Sequence, residues 1–405
     1  MKKIYLTLSF VIASGLLSAQ NKDTKTADKL FDRYEYVDAA KEYLKLTEKG
    51  KADNYVYKQL ADSYYNVFNT KEAVKWFAKA TEEKQDAETY YKYAQMLKAE
   101  GNYAEADKQM KQFASLAPND QRAKTFNSNP QYLPTLKSQA KLYDVVKSDI
   151  SSDKTDFGAV LTNDNNVYFS SSRNTSKKNS NWNEEPYLDL YKATYNANKT
   201  ISEAVAVDNL NTRWHDGPAS VSSDGSVSFN EKEYVKDKEK KAKFGKIYLY
   251  KATNSGGSWS NSKPLPFNNA AYDVRNPSIS KDGKTLYFSS NMPGGMGGED
   301  IWKVSVNGDE YGTPENLGAK INTEANESFP FITDDNVLFF SSNGKQGFGG
   351  LDVFKIDLSK GTDAVNVGAP VNTEKDDFAF TYNTAKKVGF FSSNRTGADN
   401  IYQAN

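Results

Sequence analysis

Residues 276–303, NPSISKDGKTLYFSSNMPGGMGGEDIWK, form the unit on which the C-terminal two thirds of the chain is a set of variations. Residues 278–280 read as a short alternating strand, 281–284 as a turn, and 285–289 as a strand of β-branched and aromatic residues. Asp282-Gly283 between two such runs is a hairpin signal, because glycine accepts the positive φ that a tight turn imposes. The glycine-rich stretch 293–298 then turns the chain back. Residues 300–303 resume an extended, aromatic pattern and supply a third strand.

Aligned on the last aromatic of the second strand, the unit occurs five times, at Phe169, Phe229, Phe288, Phe340 and Phe391, with spacings of 60, 59, 52 and 51 by subtraction of residue numbers. A third-strand echo follows each, at Asp189-Leu190-Tyr191, Lys246-Ile247-Tyr248, Asp300-Ile301-Trp302, Asp352-Val353-Phe354 and Asn400-Ile401-Tyr402. Small antiparallel sheets that cannot bury both faces alone, repeated at this period, predict a five-bladed β-propeller. Fourth strands are expected in the connecting segments, as at 315–321 and 364–371. The fifth unit has room for only three strands, while the run 142–150 lies ahead of the first unit where a fourth strand would lie. It is expected to pair with the strand around Ile401 and Tyr402 and close the ring. Two insertions, 174–186 and 231–243, read as solvated hairpin tips.

Upstream the period changes. Ala27, Ala61 and Ala94 recur at 34 and 33 residues, as do Ala39, Ala73 and Ala106, with Tyr43, Phe77 and Met110 one turn further on. Alanines where paired helices approach closely, with large apolar residues filling the gaps, are what a tetratricopeptide array requires. The expected organisation is multidomain: a secretory signal peptide over 1–19, an all-α array of three tetratricopeptide repeats and a capping helix over 20–126, a linker over 127–140, and an all-β propeller over 141–405. Lys2 and Lys3, an apolar run and the small-residue exit Ser18-Ala19 carry the first assignment. The segment is too short to be kept as a membrane span.

Lysine plus arginine and aspartate plus glutamate are both 52 in 405 residues, which removes nucleic acid and anionic membranes as charge-steered partners. The chain has no cysteine, so it has no disulfide, no zinc–thiolate site and no acylation residue. No cofactor is expected. The single histidine, His215, could be a general base oriented by Asp216, but no nucleophile motif accompanies it, and a partly exposed loop histidine is the simpler reading. An acid precedes the first strand of each unit: Asp156, Asp216, Asp273, Glu327 and Asp376. These five could form a carboxylate ring at one mouth of the channel, able to hold a cation or to serve as acid and base on a glycan. They could equally be turn formers bonding nearby backbone N–H groups. The glycine runs 294–298 and 347–350 lack the lysine, hydroxyl residue and following helix of a nucleotide loop, and read as tight turns.

With these residues quoted, the C-terminal part resembles the TolB-type, WD-repeat-like propeller family, whose unit carries a P-x-S-x-D-G turn, an aromatic-F-S-S-N/R strand and a G-G-x-D-I-Y/W strand. Units three and four match closely, through Pro277, Asp282, Gly283, Phe288, Asp300 and through Pro330, Asp335, Phe340, Asp352; unit two has Asn230-Glu231 for the serine pair and unit five lacks the Asp-Gly turn. Signal peptide, tetratricopeptide repeats and propeller, in that order, resemble the N-terminal portion of periplasmic OmpA-family proteins, the PorE-like component of the type IX secretion system among them. The resemblance implies a non-enzymatic, protein–protein interaction scaffold of the cell envelope, periplasmic or associated with the outer membrane, with protein partners and peptidoglycan or glycan as a further class of ligand. The helical array would offer a concave peptide groove and the propeller a second face. Those proteins continue into an OmpA-like peptidoglycan-binding domain that this sequence does not include. A carbohydrate-active or glycan-binding propeller using the channel carboxylates is the alternative.

Overall fold

The computed structural model describes residues 23–180, 182–237, 242–255 and 258–405, so the signal-peptide reading of 1–19 lies outside the described residues. Among the described residues eight helices come first: α1 (Lys25–Phe31), α2 (Tyr36–Glu48), α3 (Asn54–Asn66), α4 (Thr70–Ala80), α5 (Ala87–Ala99), α6 (Tyr103–Leu116), α7 (Gln121–Ser128) and α8 (Tyr132–Lys137). Five of their starts are capped by short polar residues. Asp53, Asn69, Asp86, Asn102 and Asp120 each accept a backbone N–H from the first turn with their side chain, satisfying a donor that the helix itself leaves over. The six recurrent alanines are all buried, together with Tyr43, Phe77 and Met110. The segment expected as a linker contains α8, whose Tyr132 and Leu136 pack with Phe348 of the β region.

From Val145 onward five antiparallel sheets form the blades of a five-bladed propeller, and a separate two-stranded sheet pairs Asn254–Ser255 with Ser258–Trp259. The blades run inside to outside through Asp156–Leu161, Asn166–Ser171, Asp189–Thr194 and Val205–Ala206; Asp216–Val221, Val227–Asp237, Ala242–Ala252 and Lys263–Pro264; Val274–Ile279, Thr285–Ser290, Asp300–Asn307 and Glu315–Asn316; Glu327–Ile332, Val337–Ser342, Asp352–Asp357 and Val365–Asn366; and Asp377–Asn383, Val388–Ser393, Asn400–Ala404 and Val145–Lys147. The second strands are buried almost continuously because both faces of each blade are covered by neighbours. Phe169, Phe229, Phe288, Phe340 and Phe391 are all inaccessible to solvent or nearly so. Each sits opposite a third-strand aromatic: Tyr191, Tyr250, Trp302, Phe354 and Tyr402. In blade two the true counterpart is therefore Tyr250, two residues beyond the expected Tyr248, because the long hairpin there carries the third strand further.

The ring closes as strand counting expects: Val145, Val146 and Lys147 pair with Ala404, Gln403 and Tyr402. The register also says which amide matters. Asp144 and Asn405 exchange both backbone hydrogen bonds, at 2.9 Å each, and Ser148 N–H donates to Ile401 at 2.9 Å. Antiparallel ladders bond at alternate residues, so Val146, not Val145, donates into the closing ladder. Its side chain is 53% exposed. Val146→Pro is therefore expected to cost about 3 kcal/mol through the lost donor and ring clash, while Val146→Ala costs little. Equal thermal midpoints for the two variants would show that this strand does not hold the ring shut.

Candidate functional site

The loop entering each blade is built by one repeated device. The side chain of an asparagine brackets a third-strand residue of the preceding blade: Asn322 accepts Ile301 N–H at 2.8 Å and donates to Ile301 C=O at 3.0 Å. Asn211 does the same to Leu190, Asn268 to Leu249 and Asn372 to Val353, while Ser151 does so to Ile401. These side chains continue a ladder that the two-residue outer strands abandon. That is why the fourth strands are much shorter than 315–321 and 364–371. The next residue, Ser152, Thr212, Thr323 or Thr373, gives both its backbone N–H and its hydroxyl to an acid four positions on.

Those acids are Asp156, Asp216, Glu327 and Asp377, each the first residue of its innermost strand and completely buried. The expected ring of five thus separates into two registers. Asp156, Asp216 and Glu327 clamp their own loops; Asp156 also pairs with Arg173 at 2.8 Å. Asp273 and Asp376 stand one residue earlier, because the matching positions in their blades are Val274 and Asp377. Both reach sideways instead, accepting Ile247 N–H at 2.9 Å and Leu351 N–H at 2.7 Å from the preceding blade. Among the described residues no three acids or histidines are grouped so as to hold a metal ion. The glycine runs are likewise self-satisfied. The N–H groups that would cradle a phosphate, from Met296 and from Phe348 and Gly349, donate to Asp300 and Asp352.

The helical layer sits on the channel mouth formed by these loops. Tyr91 and Gln95 of α5 both donate to the carbonyl of Asn343, at 2.5 and 2.6 Å; Tyr103 donates to Phe348 C=O and Tyr132 to Gly347 C=O, each at 2.8 Å. Lys375 reaches back to Ala99 C=O at 2.7 Å, and Ala325 of blade four is buried in the helical core. The helix face formed by α3, α5 and the starts of α6 and α7 is therefore covered by the propeller and is not an open groove. Most described residues of the insertion 174–186 are exposed or half-buried, as expected, but its tip also touches the helices. Its Trp182 packs edge-on to Tyr36 at 5.4 Å, and Glu184 pairs with Lys41 of α2.

Between the layers lies a chamber. A cavity of about 660 Å3 bounded by Phe68, Phe157, Trp182, Phe329, Asp376, Phe378 and Asp399 adjoins one of about 260 Å3 that reaches Arg275, Glu299 and His215. The floor is a triangle of Phe157, Phe329 and Phe378, ring centroids 5.0–6.2 Å apart, which closes the channel. Below it only about 30 Å3 of void remains before the far mouth widens to about 390 Å3 among the hairpin turns. Phe329 holds a φ of +51°, a region costly for a bulky residue, where blade one has Gly158 and blade three Asn276. His215 accepts Leu188 N–H on Nδ1 at 3.1 Å and meets the Tyr187 ring edge-on at 4.6 Å, which makes it part of the chamber wall.

Burial dominates the electrostatics of this region. It raises Asp376 to about 7, helped by Asp399 and Asp377, and Asp399 to about 7, helped by Glu185 and Asp156. Glu327 and Asp352 are each raised to about 7 by the same cause. Burial also raises Glu299, against the pull of Arg275, whose guanidinium approaches it to 2.6 Å without the alignment of a hydrogen bond. Groups with folded pKa above the unfolded value bind protons preferentially when folded, so their stabilisation is complete below about 4 and lost as pH rises through about 7. The melting temperature is accordingly expected to be several degrees higher near pH 5.5 than near pH 8. A flat profile across that window would contradict these environments.

No known protein family and no curated protein matches the sequence. Among solved structures, a putative TolB from Agrobacterium tumefaciens is similar at 13% identity and a TM-score of 0.35, over 64% of this chain and 76% of that one. The Hadza microbial sialidase Hz136 is similar at 12% identity and 0.38, over 65% and 52%. An oligogalacturonate lyase from Vibrio parahaemolyticus is similar at 12% and 0.32, over 63% and 66%.

Proposed function

We propose that the protein is a non-enzymatic interaction scaffold of the cell envelope, exported to the periplasm, with helix pairs of tetratricopeptide type. In this reading it serves outer-membrane assembly or type IX secretion as OmpA-family, PorE-like proteins do. The observation that supports it most is the interlock of the two layers. The helices dock on main-chain carbonyls of propeller loops and leave an open-sided cavity lined by both layers. A rigid composite surface of this kind suits recognition of a protein partner. The carbohydrate-active alternative needs two carboxylates free to face a sugar, whereas Asp216 and Glu327 spend their oxygens on Thr212 and Thr323.

Cross-linked pull-down from envelope extracts with the intact protein is expected to recover a discrete, stoichiometric partner. Glycan turnover lost in Asp216→Asn or Glu327→Gln, with no partner recovered, would replace this reading with the enzymatic one.

A further inference from the structure

We propose that the chamber receives a lysine side chain from a partner protein, with its methylene stem against Phe157, Phe329 and Phe378 and its ammonium group at Asp376 and Asp399. This deepens the scaffold reading and rests on it, by stating what the partner must present.

The argument starts from the charges on the wall. Every cation there is already engaged: Lys375 with Glu100 and Ala99 C=O, Arg395 with Asp377, and Arg275 with Glu299 and Asp273. The carboxylates are not balanced in the same way. Among the described residues the carboxylate of Asp376 accepts hydrogen bonds only from neutral donors, Leu351 N–H and the Asn394 side-chain amide. Asp399 has no hydrogen bond or ion pair from its carboxylate among the described residues, and only its backbone carbonyl is used, by Asp156 N–H. The carboxylate of Glu185, on the same wall, accepts only the Ser172 hydroxyl among the described residues. The cavity therefore offers acceptors and no spare donor charge. Asp376 and Asp399 are half-buried, and an anion would add to the repulsion between them, whereas a cation matches their charge.

The second observation is the aromatic floor. Three phenylalanine rings meet at the base of the cavity, and Trp182 bounds it from the insertion. Aromatic faces next to carboxylates favour an organic cation over a hydrated metal ion, since the rings attract positive charge and also bury an apolar stem. A metal would require a cluster of ligands that does not occur among the described residues. A lysine side chain has both parts, a four-carbon stem and a compact ammonium group.

Calorimetry on the intact protein can test this with a blocked alanine peptide carrying one lysine, its norleucine counterpart, and free butylamine. The lysine peptide is expected to bind below about 1 mM, with the norleucine peptide at least about tenfold weaker, as loss of charge-assisted hydrogen bonds implies. Asp376→Asn with Asp399→Asn keeps an acceptor atom on each side chain and removes two mutually repelling charges, so the fold should melt no lower than the parent while lysine-peptide affinity falls about tenfold or more. Phe329→Leu should weaken binding of both peptides. The proposal is overturned if the norleucine peptide binds as well as the lysine peptide, if the double variant binds unchanged, or if butylamine binds as tightly as the peptide, which would assign the chamber to small amines. No peptide binding together with a discrete partner in the pull-down would reject the chamber and keep the scaffold. Binding without a recovered partner would do the reverse.

Discussion

Replacing Asn372 by leucine, similar in volume, should lower the stability of the protein by about 4 kcal/mol, a fall of roughly 10 °C in thermal midpoint. The side chain is 1% exposed and makes three hydrogen bonds: it accepts Val353 N–H at 2.8 Å and donates to Val353 C=O at 2.9 Å and to Asn366 Oδ1 at 2.8 Å. Leucine fills the space and answers none of them. Each buried group left without a partner costs about 1–3 kcal/mol. A loss under about 1 kcal/mol in urea unfolding would mean that water or a shifted outer strand takes over the ladder, and that the repeated asparagine is not what finishes each blade.

Gly349→Ala should cost about 3 kcal/mol for a different reason. A methyl group at this position would run into the backbone of Glu374 in the loop that enters blade five, and backbone cannot rotate away as a side chain can. Gly297 meets Ala325 and Thr323 at the same point of blade three, which makes the second glycine run a packing requirement between consecutive blades. Gly361→Ala is the comparison. It has open space around it and a φ of +64°, so only the conformational cost of about 1 kcal/mol applies. If the two variants melt together, the close approach at Gly349 is not limiting.

Blade number and ring closure were readable because they depend on local, repeated chemistry. A phenylalanine in the middle of a strand covered on both faces recurs wherever a blade recurs, and the spare run near Val145 could be counted. The asparagine clamps were also within reach. Leu210-Asn211-Thr212, Ile321-Asn322-Thr323 and Val371-Asn372-Thr373 each stand four residues before an acid. What misled was alignment on acids alone. Asp273 and Asp376 look like Asp156 and Glu327 in sequence, yet the inner strands start one residue later in blades three and five, and one residue changes which neighbour a carboxylate meets. The docking of helices on the propeller left no periodic trace at all. Tyr91, Gln95, Tyr103 and Tyr132 sit at ordinary helical positions, and their partners are carbonyl groups, which any sequence supplies.

The pairing of Val145–Lys147 with Asn400–Ala404 sets a timetable as well as a shape. The strand made first among those of the propeller is the outermost strand of the blade made last, so no blade order built up from the N-terminal side can finish without it. The helices satisfy themselves through contacts close in sequence and can form early, whereas the closing ladder joins segments more than half the chain apart, a slow, high-contact-order step. Until it forms, the channel mouth under the helices has no fixed perimeter, and their carbonyl partners in blade four have no rigid frame. The chamber takes its perimeter from the closed ring, so a partner that binds there binds the completed fold and stabilises it over any open form.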